Sequence, residues 1–321
     1  MNPYVFFVGC TRSGTTLLRR IADAHPELAV LPEQQWLPRY WEWRIGVTPD
    51  GMATRDLLDM LLADRRFAAL ELPFKAVADL AQDGRPIHYA KFVSELFDLY
   101  GRLHEKPVVG EKTPKYVRYI PTLHDLWPEA RIVHLIRDGR DVALSLLDWD
   151  KSERNVGRFP TWQEDPLTTA ALYWEWNVRL GQEAGAILGS ERYYEMRYEA
   201  LVDDPEGECR KLCGFLALAY DPSMLEFHAG RTRAQSGLSA KKAWQPITPG
   251  LRSWREQMGR SDLSHFEAAA GALLDELEYP RGATQPSVDG TAHARRLREA
   301  FAEYARAGGW RVPGAWERVA V

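Results

Sequence analysis

The sequence is short of cysteine, of long apolar runs and of excess charge of either sign, and each shortage excludes a class of protein. Three cysteines in 321 residues are too few, and odd in number, for a disulfide-stapled secreted domain, so reduced thiols in a cytosol are expected. The first apolar run, residues 4–8, is too short for a signal sequence or a membrane span, which predicts a cytoplasmic protein without membrane attachment. With 45 acidic and 41 basic side chains there is no general positive field, so nucleic acid is not an expected partner.

Short apolar runs alternate with longer stretches of helical periodicity along the chain. Residues 4–8, ended by Gly9, and residues 131–136 are continuous apolar runs rich in aromatic and β-branched residues, which is typical of strands buried in a parallel sheet. Further candidate strands are residues 107–109 and 192–196, and helical patterns cover residues 15–24, 91–103, 168–188 and 263–277. This alternation predicts an α/β fold in which helices flank a central parallel sheet.

The C-terminal part of the sequence differs in composition from the rest. Residues 280–292 are rich in glycine, proline, serine and threonine, which is typical of a linker, and residues 293–307 have the pattern of a last helix. We therefore predict one domain over residues 1–280, with residues 281–321 forming a linker and a C-terminal helical extension packed on the same domain. Nothing in the sequence indicates an oligomeric state.

A glycine- and hydroxyl-rich segment joins the first predicted strand to the first predicted helix. Residues 9–16 read Gly-Cys-Thr-Arg-Ser-Gly-Thr-Thr, with the G-x-x-x-x-G spacing of a phosphate-binding loop, in which backbone N–H groups and a helix N-terminus face one anion. Thr15 stands where a nucleoside-triphosphate-binding loop has its lysine, which argues against hydrolysis of ATP or GTP. Arg12 places positive charge inside the loop instead. The alternative interpretation is a turn that only caps a helix.

A second strand, polar loop and helix follow the same layout. Arg137 comes directly after the strand at residues 131–136, and Ser145 lies two turns into the next helix on the side of its start. Because open parallel sheets bind ligands at the carboxyl ends of their strands, the two loops predict one ligand with two separate phosphates. Asp138, Arg140 and Asp141 are interpreted instead as a solvated salt-bridge cluster that caps the helix.

Three segments together resemble the sulfotransferases that use 3'-phosphoadenosine 5'-phosphosulfate: residues 9–16, residues 132–145 and the Arg-Tyr-Glu-Ala-Leu of residues 197–201. Residues 12–33, from Arg-Ser-Gly-Thr-Thr-Leu-Leu through His25-Pro26 to Pro32-Glu33, are most similar to the tyrosylprotein sulfotransferases and their bacterial relatives. The resemblance spans residues 4–254. It implies a P-loop-like α/β fold, no metal, and transfer of a sulfuryl group from the donor to an acceptor hydroxyl or amine.

The resemblance also assigns donor-binding residues. It implies that the 5'-phosphosulfate is bound by Arg12, Ser13, Gly14, Thr15 and Thr16, and that the 3'-phosphate is bound by Arg137 and Ser145. Tyr198 would pack near the nucleotide. Ser239 resembles the serine that such enzymes bring over the donor, and Lys241, Lys242 and Gln245 compete for a role in the same loop.

The same resemblance assigns the catalytic groups. Glu33, after the turn that follows a short strand, coincides with the catalytic glutamate of the tyrosylprotein group and would take the acceptor proton. Lys112 matches the lysine that bridges the sulfuryl and leaving groups, and Arg12 would share that duty. Lys115 and Glu111 are interpreted as surface or supporting charges. His104 is the alternative base, although a helix-surface histidine is the preferred interpretation.

The predicted function is sulfuryl transfer from 3'-phosphoadenosine 5'-phosphosulfate to an acceptor hydroxyl, with 3'-phosphoadenosine 5'-phosphate as the product. A small-molecule or carbohydrate acceptor, bound against Trp36 and Trp41, is favoured. Three alternatives stay open: a P-loop small-molecule kinase, a non-catalytic nucleotide-binding module, and a tyrosylprotein-type enzyme acting on a peptide. Cys209 and Cys213 lack a second ligand pair, so no metal site is expected.

Overall fold

The computed structural model describes residues 3–80, 86–229, 247, 253–282 and 286–308. The chain divides into two compact units. The first unit comprises Met1–Ile136 and Gly181–Thr248, and the second comprises Arg137–Leu180 and Pro249–Val321.

The first unit contains the sheet. Its strands, in chain order, are β1 (Val5–Gly9), β2 (Leu28–Leu31), β3 (Met52–Ala53), β4 (Ile87–His88), β5 (Val108–Lys112), β6 (Arg131–Ile136) and β7 (Tyr193–Arg197). Within the described residues, five of them form a parallel sheet in the order β2-β5-β1-β6-β7, while β3 and β4 make a short antiparallel pair. The predicted α/β fold with a central parallel sheet is thereby confirmed.

Helices connect and cover the strands. Those of the first unit are α1 (Thr15–Asp23), α2 (Leu37–Glu42), α3 (Arg55–Ala63), α4 (Arg65–Ala68), α5 (Phe74–Asp79), α6 (Tyr89–Leu103) and α7 (Ile120–Leu126), and later in the chain α10 (Tyr198–Asp203) and α11 (Pro205–Leu216). The second unit contains α8 (Gly139–Leu147), α12 (Trp254–Gln257), α13 (Arg260–Glu276) and α14 (Val288–Arg306). Helix α9 (Pro166–Leu188) contributes residues to both units.

Strand β1 shows why the first apolar run is continuous rather than alternating. Val5 and Phe7 pack into a buried cluster with residues of α1 and α11, such as Leu18. Phe6 points to the opposite face, where its ring lies 5.6 Å from that of Trp127. Because helices cover both faces of the sheet, every position of the strand is buried and apolar.

Strand β5 and helix α14 are among the elements whose bounds differ from their predictions. Strand β5 continues past residue 109 to Lys112, since Gly110, Glu111 and Lys112 keep pairing with the neighbouring strands. Helix α14 begins at Val288 instead of residue 293, because the Ser287 hydroxyl accepts the N–H of Gly290 at 3.0 Å and caps the helix. Local capping therefore overrides the linker-like composition.

Candidate active site

The loop between β1 and α1 has the features of an anion site. Ser13 N–H donates to the carbonyl of Cys10 at 3.1 Å, which closes a turn, and Gly14 precedes the first turn of α1 without a side-chain cap. The hydroxyl oxygens of Thr11 and Ser13 are buried and have no hydrogen-bond partner among the described residues. Uncapped helix N–H groups beside two unused hydroxyls can bind one phosphate or sulfate group.

Gly14 can only be glycine for two separate reasons. Its φ of +94° lies in the left-handed region that residues with a Cβ rarely adopt. A Cβ at this position would also lie 2.4 Å from Cδ2 of Tyr198. Tyr198, at the start of α10 after β7, thus packs its ring directly against the loop, beside the residues assigned to the donor.

Three predicted site residues meet at the carboxyl ends of neighbouring strands. Lys112, the last residue of β5, donates from Nζ to Oε1 of Glu33 at 2.6 Å and to the hydroxyl of Thr16 at 3.3 Å. Strand β2 ends at Leu31 because Pro32 has no N–H with which to continue the ladder, and this turn brings Glu33 to the lysine. The Lys112 side chain is 4% exposed, whereas that of Glu33 is 28% exposed, so the carboxylate is the accessible member of the pair.

The electrostatics of this pair favour ionised Glu33. Burial acts to raise the pKa of Glu33, but the charge and hydrogen bond of Lys112 outweigh it, with smaller contributions from Gln35 and Arg66. The pKa therefore lies below the ordinary value of 4.5. Glu33 is a carboxylate, and so able to accept a proton, throughout the neutral range.

We expect activity to persist into acid, because Glu33 loses its ability to accept a proton only when the pH falls through this lowered pKa. The acid limb of kcat/KM, which reports groups of the free enzyme, should lie below pH 4.5. A pH profile of kcat/KM from 4 to 8 tests this. An acid limb near about 6.5, the ordinary pKa of histidine, would contradict it and assign the base to a histidine.

The structure separates His104 from this site. His104 follows the last residue of α6, is exposed, and packs against Tyr100 with the two rings tilted and their centres 4.3 Å apart. His104 precedes the start of β5, whereas Lys112 is the last residue of that strand. The two residues therefore lie at opposite ends of the strand. This agrees with the preferred interpretation of His104 as a helix-surface residue.

The structure does not support the assignment of Trp36 to the acceptor pocket. Trp36 is 4% exposed, since its indole N–H donates to the Gln34 side chain and its ring packs against Phe67 and Tyr89; it offers no free face to an acceptor. Glu111, interpreted as a surface or supporting charge, is fully buried, which excludes the surface alternative. Trp41 is half-buried, with its ring against His88 and Tyr89 and the Arg44 guanidinium 4.0 Å above it.

The second unit holds the other predicted phosphate residues. Arg137 is fixed at both ends: its carbonyl accepts the indole N–H of Trp174 at 3.0 Å, and its guanidinium pairs with Asp141 at 3.2 Å. Asp141 also accepts the N–H of Trp254, the first residue of α12, at 2.8 Å. Burial raises the pKa of Asp141 against the opposing charge of Arg137. Ser145 is buried on α8.

The predicted solvated cluster beside Arg137 is a buried one. Asp138 caps α8 by accepting the N–H of Arg140 at 3.0 Å, as expected of a capping residue. Arg140, however, is fully buried, because its guanidinium pairs with Asp138 at 2.8 Å and Glu267 at 3.0 Å and lies 3.6 Å from the Trp254 ring centre. Aromatic cover and a second carboxylate from α13, invisible in the local sequence, remove the cluster from water.

The loop assigned to cover the donor lies outside the described residues. It contains Ser239, Lys241, Lys242 and Gln245.

The described part of the chain contains neither a metal-binding cluster nor a membrane-spanning helix. It holds no group of three or more histidine, cysteine, aspartate or glutamate side chains placed to bind a metal ion. None of its helices is long and apolar enough to cross a membrane.

Comparison with known proteins places these features in a family. Residues 3–222 match the family described as the Sulfotransferase family. Protein-tyrosine sulfotransferase A of Caenorhabditis elegans is 24% identical over 293 residues, covering 89% of this chain and 70% of that protein. An omega-hydroxy-beta-dihydromenaquinone-9 sulfotransferase of Mycobacterium bovis is 25% identical over 252 residues, which cover 68% of this chain and 63% of that protein.

A solved structure shares the fold. The sulfotransferase domain from the curacin biosynthetic pathway superposes with a TM-score of 0.61 at 18% identity, covering 88% of this chain and 99% of that domain. With a family match over more than half of its length, the chain belongs to the sulfotransferase family.

Proposed function

We propose that this sulfotransferase moves a sulfuryl group from 3'-phosphoadenosine 5'-phosphosulfate to an acceptor hydroxyl, with Glu33 as the base. The observation that carries the proposal is the contact of Lys112 with both Glu33 and Thr16. It connects the first turn of the helix behind the phosphate loop to an ionised, accessible carboxylate. Family membership removes the support for the kinase and for the non-catalytic module.

The loop residues fit the donor's sulfated end. The buried hydroxyls of Thr11 and Ser13, without partners in the described part of the chain, and the uncapped start of α1 at Thr15 and Thr16 are donors suited to phosphate and sulfate oxygens. In this proposal the 5'-phosphosulfate is held by Arg12, Ser13, Gly14, Thr15 and Thr16. Tyr198 lies beside the adenine ring of the donor. Arg137 and Ser145 hold the 3'-phosphate.

When bound, the donor supplies the sulfuryl group and leaves as 3'-phosphoadenosine 5'-phosphate. Glu33 accepts the acceptor's hydroxyl proton. Its Oε1 is held by Lys112, while among the described residues Oε2 has a single contact, with Gln35 at 3.4 Å, so Oε2 is the oxygen assigned to that proton. Lys112 and Arg12 supply the positive charge that stabilises anionic oxygens in the transition state, and no metal ion takes part.

We expect Arg137→Ala to abolish the preference for the 3'-phosphorylated donor. Removing one charge-assisted hydrogen bond should cost about 1.5–3 kcal/mol of binding free energy. Dissociation constants of 3'-phosphoadenosine 5'-phosphosulfate and adenosine 5'-phosphosulfate, measured on wild type, Arg137→Ala and the surface control Arg210→Ala, test this. Equal affinity of the wild type for the two nucleotides would refute the assignment of Arg137.

The acceptor is proposed to be a hydroxyl on a small molecule or carbohydrate. The two relatives differ in what their names give as the acceptor, protein tyrosine in one and a dihydromenaquinone in the other, so the family accommodates both peptide and small-molecule hydroxyls. Of the two aromatic residues assigned to the acceptor, Trp41 is the one that keeps exposed surface.

Transfer of labelled sulfate from the donor to a panel of phenols, alcohols, sugars and acidic tyrosine peptides tests the proposed function. We expect product with small molecules or sugars, and a changed acceptor profile in Trp41→Ala. Sulfation confined to tyrosine peptides would overturn the small-molecule assignment in favour of the tyrosylprotein alternative. No transfer to any member by an enzyme that binds the donor would contradict a hydroxyl acceptor.

A further inference from the structure

The end of β5 contacts the Glu33 segment through consecutive residues. Lys112 holds the Glu33 carboxylate, as described above. Its neighbours Glu111 and Thr113 reach the next residue of that segment: the backbone N–H of Gln34 donates to Oε1 of Glu111 at 3.1 Å and lies 3.1 Å from the Thr113 hydroxyl. The Thr113 hydroxyl itself donates to the same Glu111 oxygen at 2.5 Å. One strand end therefore fixes both the side chain of Glu33 and the backbone that follows it.

The Gln34 side chain shows that this segment has a defined conformation. Its amide nitrogen donates to the carbonyl of Pro32 at 3.1 Å, and its oxygen accepts the indole N–H of Trp36 at 3.2 Å. A short distance on, the N–H of Leu37 donates to the Tyr116 hydroxyl at 3.1 Å. Among the side chains that accept a hydrogen bond from the backbone of Gln34 or Leu37, Glu111 supplies the carboxyl group, and it is fully buried.

The surroundings of Glu111 favour its neutral form. Burial is the largest influence and raises the pKa of Glu111 to about 8, against hydrogen bonds from Thr113 and Gln34 and the charge of Lys112, while the Glu33 carboxylate raises it further. Tyr116 is the other titratable group that faces it. Burial thus favours the uncharged acid near neutral pH: Oε1 accepts two hydrogen bonds, and Oε2 is buried without a partner among the described residues.

From this arrangement we propose that Glu111 is a positioning residue of the active site. Its carboxyl group, together with Thr113, holds the Gln34 amide and so holds the neighbouring Glu33 against Lys112. The catalytic part of this inference rests on the proposed function, because it takes Glu33 to be the base. The structural part, the hold on Gln34, does not.

Hydrogen exchange at the Gln34 amide measures the hold directly. At pH 6.5 the amide should be protected in the wild type and in Glu111→Gln, since glutamine keeps the accepting oxygen and the size of the neutral acid. In Glu111→Ala the exchange should accelerate by about tenfold or more. The hydrogen bond from the Gln34 amide to Glu111 is then missing, so the local opening that exposes this amide to water costs less free energy. Glu183→Gln, a change at an exposed position of α9, should leave it unaltered. Unchanged protection in Glu111→Ala would overturn the proposal.

Steady-state kinetics measure the consequence for catalysis. Glu111→Ala should lower kcat by about tenfold or more, because small displacements of a catalytic group are costly, and should leave the dissociation constant of 3'-phosphoadenosine 5'-phosphate within about twofold. Glu111→Gln should restore most of kcat. Faster exchange at Gln34 with unchanged kcat would overturn the positioning role. Wild-type turnover in Glu33→Gln would instead contradict the proposed base, and the exchange result would still decide whether Glu111 holds Gln34.

The pH dependence of stability tests the neutral state of Glu111. A carboxyl whose pKa is higher in the folded than in the unfolded chain binds more protons when folded, so stability is present at low pH and declines as the pH rises from about 4.5 toward 8. Relative to Glu111→Gln, the wild-type folding equilibrium constant should fall by about tenfold per pH unit in the middle of that interval. A difference between the two proteins that does not vary with pH would overturn the neutral assignment and with it the expected rescue by glutamine.

Discussion

Glu33→Gln should lower kcat by about 100-fold or more, because it preserves the size of the side chain and removes the proposed proton acceptor. The hydrogen bond from Lys112 to Oε1 can still form with the glutamine oxygen. Donor binding should therefore change little, and the dissociation constant of 3'-phosphoadenosine 5'-phosphate should stay within about twofold of wild type. The measurement is turnover at saturating donor and acceptor, with the product nucleotide titrated separately.

The matched control is Glu183→Gln, the same change at an exposed position, which should keep wild-type turnover. If Glu33→Gln also kept it, the base would have to be another residue, and His104→Ala would be the next variant to assay. Its exposed position beyond α6 leads us to expect that His104→Ala has no effect on turnover.

Arg140→Met should destabilise the protein by about 3–5 kcal/mol, the usual cost of removing one member of a buried ion pair. Arg140 is shared by Asp138 and Glu267, both buried, and also donates to the carbonyl of Pro280 at 2.8 Å. Methionine fills much of the volume but leaves two carboxyl groups without the cation between them. Denaturant unfolding of wild type and variant gives the difference in free energy.

The control for this change is Arg210→Met, which removes an exposed pair with Glu206 on α11. Exposed ion pairs contribute little, so its unfolding curve should overlay that of the wild type. If Arg140→Met lowered the free energy of unfolding no more than the control does, the buried cluster would contribute no net stability. Its carboxyl groups would then be neutral or solvated in solution.

The fold could be predicted because its signals are local, whereas the roles given to Glu33 and Lys112 come from the family resemblance and stay predictions. Buried parallel strands are continuous apolar runs, and the strand order places Glu33, Lys112 and the loop at Gly9 where strands end. Strand β6, for example, has the predicted bounds. Glu33 contacts Lys112 because β2 and β5 are neighbouring strands. Local sequence patterns predict that both residues lie at the carboxyl ends of strands, but they do not predict that these two strands pair.

Residues whose environment depends on distant elements could not be predicted in the same way. Glu111 reads as a surface or supporting charge until β5 is known to extend to Lys112, between β1 and β2, with every residue of the strand buried. Arg140 reads as solvated until Glu267 and Trp254, more than a hundred residues away, are found against it. Trp36 reads as a pocket wall until Phe67 and Tyr89 cover it.

The most direct measurement is a calorimetric titration of the wild-type protein with 3'-phosphoadenosine 5'-phosphate and with ATP, each with and without Mg²⁺. Because Thr15 stands in place of a lysine and Arg137 and Ser145 are proposed to bind a 3'-phosphate, the protein should bind the bisphosphate at least about tenfold more tightly than ATP, with no requirement for Mg²⁺. Tighter binding of ATP that depends on Mg²⁺ would contradict the assignment of this site to the sulfuryl donor.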